Sequence, residues 1–129
     1  MLIKIQVTHG TLKMNELRVK VKNRVRKHMV NRGLILHILY AKYPYYMNVG
    51  DIMLDIDDSR IKTKDFMACI AYLDGAGLIN IFDYYFGKNP LSHGWKKELN
   101  YSVSISLTVR GVNFNEGLTS KKGVKRFES

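Results

Sequence analysis

The sequence predicts an α+β domain in which three helices precede a β-hairpin. Two patterns and the chain length support this prediction. Apolar residues recur at helical spacing over a long segment that begins at Asn15, whereas apolar residues and serines alternate from Tyr101 to Leu107. The chain has 129 residues, which is enough for one domain with its own core and too few for two domains of ordinary size.

The first helix is predicted from Asn15 to the Tyr43-Pro44 pair. Its apolar residues lie mostly three or four positions apart, and proline ends it because the residue before proline avoids helical backbone. Gly33 weakens the centre of this helix by about 1 kcal/mol relative to alanine and predicts a bend there. Residues Leu2–Val7 alternate instead between apolar and polar side chains, which indicates a short strand.

Two shorter helices are predicted to follow. Asn48 is suited to cap the first of them, because its side chain can accept a backbone N–H. Thr63 is predicted to cap the next, which places Asp65 near the positive end of the helix dipole. Gly77 is predicted to end this third helix in the left-handed conformation. The apolar face of the third helix consists of Phe66, Ile70 and Leu73.

Two strands are predicted after the third helix. Ile79–Phe86 is rich in aromatic residues, and a segment of turn-forming residues separates it from Tyr101–Leu107. Together the two strands form a hairpin with a long tip. The second strand is predicted to direct four residues inward, Tyr101, Val103, Ile105 and Leu107, and the three serines between them outward, Ser102, Ser104 and Ser106.

A short last helix is predicted over Val109–Asn115. Thr108 can cap its start, and Gly117 can end it. Residues 118–129 are polar and basic, and we predict a flexible tail that does not pack on the domain.

The order of three helices and a hairpin is that of a winged helix-turn-helix domain. Two local sequences agree with this assignment. Leu73–Ile79 resembles the end of the third helix of such domains, where a leucine is followed by Gly-Leu-Ile or Gly-Leu-Val. Leu107–Val112 resembles the Leu-Thr-x-x-Gly sequence that follows the last wing strand. We therefore predict a winged helix with an N-terminal basic helical extension.

One family resemblance is closer. Arg32–Pro44 is similar to the first helix of a small winged-helix protein family of Mu-like bacteriophages. Arg110–Gly117, followed by Gly-Val-Lys-Arg at residues 123–126, resembles the C-terminal signature of that family, although Phe127 stands where the family usually has proline. The resemblance covers about residues 16–126. It implies a small phage protein encoded among late genes near head and packaging genes, and by analogy of fold a transcriptional regulator.

These observations divide the chain into three parts. Residues 14–117 form the winged-helix domain with its basic first helix, and residues 118–129 form the basic flexible tail. Residues 1–13 fall outside the resemblance, and we interpret them as an N-terminal extension. This extension either forms the short strand or precedes a translation start at Met14.

Several classes of protein are disfavoured by composition. The single cysteine, Cys69, excludes an intramolecular disulfide and suits a reducing compartment, which for a phage protein is the cytoplasm of the bacterial host. The four histidines lack metal-ligand spacing, and no segment completes a cofactor or nucleophile motif, so we predict no enzymatic activity, metal or cofactor. No apolar run reaches the ~18 residues of a membrane span, and we predict no membrane partner.

The charge of the chain favours a polyanionic partner. The formal net charge is +10, and eight basic residues against one acidic residue lie between Lys13 and Arg32. Such a segment attracts nucleic acid through electrostatic steering and counterion release. We therefore predict double-stranded DNA as the partner.

The candidate nucleic-acid-binding residues lie on three predicted elements. The third helix of a winged helix usually enters the major groove, where Lys64 could reach a phosphate or guanine and Ala68 a thymine methyl group. The predicted face carries no Arg, Asn or Gln to read bases, and its alanines equally suit contact with another protein. The candidates are Arg60, Lys62, Lys64, Ala68 and Tyr72 around the third helix, Lys88, Lys96 and Lys97 on the wing, and Arg18, Lys20, Arg24 and Lys27 on the first helix.

The predicted function is therefore that of a non-enzymatic phage DNA-binding protein. It acts either as a transcriptional regulator or as an accessory of late functions such as packaging. The alternative from another class is a protein-interaction adaptor in phage assembly that uses the winged helix as its scaffold. A homodimer and a complex with another phage protein stay open as further partners.

Overall fold

The computed structural model describes residues 2–56, 61–83, 87–88 and 102–128, with side chains from residue 13 onward except at 87–88. Among these residues, four helices and a small antiparallel sheet confirm the predicted α+β class. In chain order the elements are α1 (Leu2–Lys42), β1 (Met47–Asn48), α2 (Val49–Asp55), α3 (Thr63–Gly75), β2 (Ile79–Asp83), β3 (Gly87–Lys88), β4 (Val103–Leu107) and α4 (Val109–Asn115).

The first helix is longer than predicted. It begins at Leu2, so the strand predicted over Leu2–Val7 is wrong. A strand there would need a partner for its backbone N–H and C=O groups, whereas lengthening an existing helix adds one hydrogen bond per residue. Gly33 lies within the helix without interrupting it. At 1.5 Å per residue α1 is about 60 Å long, and residues 13–27 are all exposed. The N-terminal half of α1 therefore projects from the domain.

The sheet confirms the predicted hairpin and adds two short strands, β1 and β3, at its edges. β2 and β4 pair antiparallel, from Ile79 opposite Leu107 to Asp83 opposite Val103. The strand order is β1-β4-β2-β3, so β4 lies in the interior of the sheet. β1 was not predicted, because two residues are too short to show alternation; Met47 lies opposite Ile105. This extra pairing joins the segment after α1 to the hairpin.

The serines of β4 are less exposed than predicted. Ser102 and Ser106 are buried and Ser104 is half-buried, whereas alternation predicted all three to face outward into solvent. The inward prediction for the apolar residues is confirmed, since Val103, Ile105 and Leu107 belong to the core. β4 lies between β1 and β2, and these neighbouring strands shield its serines from solvent. Alternation shows which face of a strand a side chain is on, but it does not show how much solvent reaches that face.

The two middle helices begin differently. α2 begins as predicted, because the Asn48 side chain accepts the Gly50 backbone N–H at 2.9 Å. Thr63 does not cap α3: it is the first helical residue, and Lys62 occupies the N-cap position without a side-chain hydrogen bond. Lys62 is extended, and its carbonyl accepts the Phe66 N–H at 2.8 Å. The start of α3 was thus predicted one residue late.

The end of α3 follows the predicted glycine stop. Gly77 has φ +73, in the left-handed region. Its N–H donates to the Asp74 carbonyl at 3.0 Å, and the Leu78 N–H donates to the Leu73 carbonyl at 3.0 Å. This pair of bonds is the Schellman motif, and it directs the chain from α3 into β2.

Thr108 joins the end of α3 to the start of α4. Its hydroxyl accepts the Gly111 N–H at 3.1 Å, which confirms the predicted cap, and donates to the Gly77 carbonyl at 2.7 Å. Its backbone N–H donates to the Leu78 carbonyl at 3.1 Å. One residue therefore holds together both sides of the base of the hairpin.

Replacing Thr108 with alanine is expected to lower the free energy of unfolding by about 1–2 kcal/mol, because the helix cap and the bond to Gly77 are both lost. Thr108→Ser keeps the hydroxyl and is the matched control, with an expected change below about 0.5 kcal/mol. Urea unfolding of the three proteins measures the effect. Equal midpoints for the alanine and serine variants would show that the hydroxyl bonds contribute nothing.

The core lies between the second half of α1, α3 and the inner face of the sheet. The Cys69 thiol and the predicted apolar face of α3 are fully enclosed. α4 contributes Phe114, and the exposed Tyr40 hydroxyl donates to the Glu116 carboxylate at 2.8 Å, which ties α1 to α4. The largest enclosed apolar side chains are Phe66, Ile35, Leu36, Leu39, Ile52, Ile70, Leu73, Leu78 and Ile105.

Residues 118–128 lie across the domain and are named here the C-terminal strap. The sequence predicted that they would not pack, and this is wrong. Val124 is only 6% exposed and belongs to the core, and the Phe127 ring lies 4.4 Å from the His37 ring, between ring centroids. The Lys125 N–H donates to the Met29 carbonyl at 3.1 Å. Two apolar residues and a backbone hydrogen bond therefore hold this basic segment on α1.

Candidate nucleic-acid interface

The outward face of α3 carries Lys64, Ala68 and Ala71, as predicted, and all three are exposed. Phe66, Ile70 and Leu73 point into the core, and the opposite face is exposed. That face is flat, because after Lys64 its residues are Ala68, Ala71 and Gly75. Lys62 and Lys64 are exposed at the start of the helix, where they can reach a phosphate. The face therefore offers two cations and no long side chain suited to reading bases.

Tyr72 makes contacts that the sequence did not predict. The guanidinium carbon of Arg32 lies 3.6 Å from the centre of its ring, within the range of a cation–π contact. Its hydroxyl donates to the Lys122 carbonyl at 2.9 Å. Tyr72 thus contacts both α1 and the strap, and because it is only half-buried, its role as a nucleic-acid contact stays a prediction.

The strap is attached to both long helices at this point. Arg32 Nη1 donates to the Gly123 carbonyl at 2.9 Å, beside the Tyr72 contact. Gly123 has φ +92 and sits against the Tyr72 hydroxyl, so a side chain there would be strained and would also clash. Lys121 and Lys122 are thereby held beside α3, and Lys125 is held at the base of the projecting helix. The fourth strap cation, Arg126, places its guanidinium against Gly117, after α4.

A row of cations on α1 leads to the strap. The strap contacts α1 at Met29 and Gly33. Residues three, seven or eleven positions before a contact lie on the same side of a helix, because each residue turns by about 100°. Arg26 lies three positions before Met29 and seven before Gly33, and Lys22 lies seven and eleven positions before them. Arg18 lies about one turn before Lys22 on the same side of the helix. We call Arg18, Lys22 and Arg26 the α1 row.

Three of the predicted α1 candidates lie on another side of the helix. Lys20 and Arg24 are each two positions before a member of the row, which turns them by about 200°, and Lys27 is turned by about 100° from Arg26. All three are exposed. Of the four predicted α1 candidates, Arg18 therefore lies on the side of the helix that the strap contacts. The other three, Lys20, Arg24 and Lys27, do not.

The wing candidates cannot be compared with this surface. Arg60, Lys96 and Lys97 lie outside the described residues. Lys88 belongs to β3, opposite Phe82 in the sheet, and its side chain is not among those described. Whether the wing contributes to the same surface thus stays a prediction.

The sequence did not predict that the strap packs on the domain. Its cations were interpreted as a flexible tail that adds non-specific affinity for DNA, and Arg32 as one residue of the basic segment of α1. Two signals in the sequence could have indicated the contact: the apolar Val124 and Phe127 within a basic segment, and Gly33 in the middle of a helix. A glycine on a packed helix face permits the close approach of another backbone, here the carbonyl of Lys125.

Among the residues that the structure describes, two ionisable groups have shifted pKa values, and neither creates a reactive site. Burial raises the pKa of the Cys69 thiol to about 11. The hydrogen bond to Glu116 raises the pKa of the Tyr40 hydroxyl, with additional contributions from partial desolvation and the negative charge of Glu116. Both groups are therefore neutral near pH 7.

Cys69 is accordingly expected to be inert towards a thiol reagent in the folded protein. At pH 8 Ellman's reagent should react with the denatured chain at the ordinary rate and with the native chain at least about 100-fold more slowly, since the native thiol is enclosed and its thiolate is disfavoured. Rapid stoichiometric reaction of the native protein would contradict the enclosed placement.

Other kinds of site find little support in the part of the chain that the structure describes. There, no group of three or more His, Cys, Asp or Glu side chains could hold a metal ion. The same residues include no helix that is both long enough and apolar enough for a membrane crossing. Comparisons with protein-family models, with curated proteins and with solved structures found no match.

Proposed function

We propose that the protein is a winged-helix protein that binds double-stranded DNA. The fold assignment rests on topology. β1 lies between α1 and α2 in the chain and pairs with β4, which in turn pairs with β2. Three helices with a strand after the first and a hairpin after the third form the arrangement expected of a winged helix, and α3 then takes the position of the recognition helix.

The observation that carries the binding proposal is the attachment of the basic strap to α1 and α3. The Arg32–Tyr72 contact, the Arg32–Gly123 bond and the Tyr72–Lys122 bond join α1, α3 and the strap at one place. Exposed strap lysines are thus held beside α3, and the α1 row continues the charge along the projecting helix. Cations outnumber acidic side chains on this surface, although α3 also carries the half-buried Asp65 and the exposed Asp74. A surplus of positive charge, built by folding from separate segments, favours a polyanion.

The mode of binding that these residues favour is contact with the phosphate backbone. Lysine and arginine neutralise phosphates, whereas the exposed face of α3 after Lys64 consists of small residues that carry no hydrogen-bonding side chain. Binding should therefore be strongly dependent on salt and weakly dependent on sequence. This favours an accessory of DNA handling, such as packaging, over a regulator that reads one operator.

A titration of a labelled duplex tests the proposal. Fluorescence anisotropy would be measured between about 50 and about 200 mM salt for the native chain and for a variant with Lys121, Lys122 and Lys125 all replaced by alanine. Each lost phosphate contact lowers the slope of log K against log salt by about 1, so the variant should lose about 3. The Tyr72 bond is kept, because it uses the Lys122 backbone carbonyl.

A matched control removes the same charge elsewhere. Lys20, Lys27 and Lys42 are exposed, the first two away from the α1 row and the last at the other end of α1. Their triple alanine variant should change the slope by less than about 1. Equal losses in both variants would show that only net charge matters, and no binding to any duplex at low salt would refute the proposal.

A second candidate function is favoured by the flatness of α3. Ala68, Ala71 and Gly75 form an exposed surface on which another helix can lie closely, as an adaptor in phage assembly would require. Replacing Ala68 with glutamine distinguishes the two functions. It should leave DNA binding unchanged or slightly stronger if α3 faces DNA, and it should abolish a protein complex formed through this face.

A further inference from the structure

The projecting half of α1 carries an apolar stripe that the domain does not cover. Leu17 is 56% exposed and Val21 is 47% exposed, and Met14 and Val25 are similarly open. The four follow one another at spacings of three, four and four, so they share one face of the helix. Met14, Leu17 and Val21 line one shallow groove with Arg18 and Lys22. An apolar stripe on a helix that leaves its domain is typical of a surface that packs on a second helix.

The charges beside the stripe restrict the chemistry of its partner. If Met14, Leu17 and Val21 take the a, d and a positions of a heptad repeat, then Lys13, Lys20 and Lys27 take successive g positions and Arg18 takes an e position. In the same register Val25 takes the next e position and Arg24 the next d position, so the apolar seam ends at a further cation. These g lysines lie off the α1 row, and the DNA proposal does not use them. The stripe is therefore bordered by cations on both sides, at the positions where helices choose their partners.

A second copy of the chain fits this surface poorly. Between residues 13 and 27 there are seven basic residues and a single acidic residue, Glu16. Two such helices side by side would place Lys13 against Arg18 in a parallel pair and lysine against lysine in an antiparallel pair, and each like-charge contact is unfavourable. Apolar attraction between the stripes would be opposed by this repulsion along the whole contact.

We propose that the stripe Met14–Leu17–Val21–Val25 binds an acidic amphipathic helix of another protein. Such a helix would bury the stripe under its own apolar face and place glutamate or aspartate opposite the g lysines and Arg18. The α1 row continues past Arg18 to Lys22 and Arg26, which face away from the g lysines, so the helix can hold this partner while its other flank meets DNA. The proposal uses a surface separate from α3 and the strap.

The test uses defined peptides as probes. The first is a three-heptad peptide with leucine at a and d and glutamate at e and g, and the second has lysine at e and g in place of glutamate. Binding to the full chain would be measured by anisotropy of labelled peptide at moderate salt, and sedimentation velocity of the chain alone would report self-association. The glutamate peptide should bind, the lysine peptide should bind at least about tenfold more weakly, and the chain alone should be monomeric.

Point variants separate the stripe from simple charge attraction. Leu17→Ser with Val21→Ser should weaken binding of the glutamate peptide about tenfold or more, because two buried apolar side chains are lost. Val19→Ser with Val30→Ser is the matched control: Val19 is 59% exposed and Val30 is 47% exposed, but both lie off the stripe, so binding should change less than about twofold. Lys13→Glu with Lys20→Glu should reverse the preference towards the lysine peptide.

Three results would overturn the proposal. One is unchanged binding of the glutamate peptide by the Leu17→Ser, Val21→Ser variant, which would reduce the contact to charge alone. Another is self-association of the chain that this variant abolishes, which would make a second copy the occupant. The last is a chain that does not bind the glutamate peptide but binds vesicles of equal parts phosphatidylserine and phosphatidylcholine. That vesicle binding would have to be lost in the Leu17→Ser, Val21→Ser variant. DNA binding by the chain is measured separately and does not depend on these outcomes.

Discussion

Replacing Gly111 with alanine is expected to destabilise the whole domain by about 1–3 kcal/mol, although alanine is the better helix former by about 1 kcal/mol. A Cβ at position 111 would overlap the Leu78 carbonyl oxygen and lie 3.1 Å from Leu107 Cδ2. The Leu78 carbonyl is backbone, and it already accepts the Thr108 N–H. It cannot move aside without disturbing the base of the hairpin, so α4 must shift outward.

Gly75→Ala is the matched control for this change. Gly75 also lies in a helix, but a Cβ there would meet nothing within 4 Å, and its backbone is not in the left-handed region. Alanine should therefore leave stability unchanged or raise it by up to about 1 kcal/mol. Urea unfolding with a common m value compares the two variants. A Gly111→Ala protein as stable as Gly75→Ala would show that α4 does not approach β2 as closely as described.

Replacing Gly33 with alanine is expected to release the strap while the domain stays folded. A Cβ at this position would overlap the Lys125 carbonyl oxygen, so the strap backbone and α1 could no longer touch. The helix itself gains from alanine, and the losses fall on the burial of Val124 and Phe127 and on the bond from Lys125 to Met29. The free energy of global unfolding should therefore fall by less than the free energy that holds the strap on α1.

Hydrogen exchange of the Lys125 amide measures this release. In the native chain the amide donates to Met29, and in Gly33→Ala its exchange should be about tenfold faster or more. The salt slope of DNA binding should fall in the same variant, because the strap cations are no longer fixed beside α3. Unchanged exchange at Lys125 would mean that α1 and the strap can separate enough to admit a methyl group without losing their contact.

The glycines also explain part of the sequence signature. The Leu-Thr-x-x-Gly pattern at Leu107–Gly111 predicted a cap and a short helix, and the structure supplies the physical reason for each polar or small position. Thr108 bonds to both sides of the hairpin base, and Gly111 is needed because Leu78 leaves no room for a side chain. Local rules of this kind were enough to predict α2, α4, the hairpin and the end of α3.

The features that the sequence did not predict depend on contacts between distant segments. β1 is two residues long and exists because β4 offers it an edge. The strap is basic and polar over most of its length, so its composition predicts solvation, yet Val124 and Phe127 find an apolar surface on α1. Tyr72 was assigned to the outward face from helical spacing alone, and spacing cannot show that Arg32 and Lys122 occupy the space beside it. The candidate interface was for this reason only half predicted.

The attachment of the strap sets an order for the last steps of folding. Its anchors, Arg32 and Tyr72, come from two different helices, so the strap can dock only where α1 and α3 have already packed together. The strap cations therefore join the basic side chains of α1 late in folding, and a partly folded chain presents the two groups of charges separately.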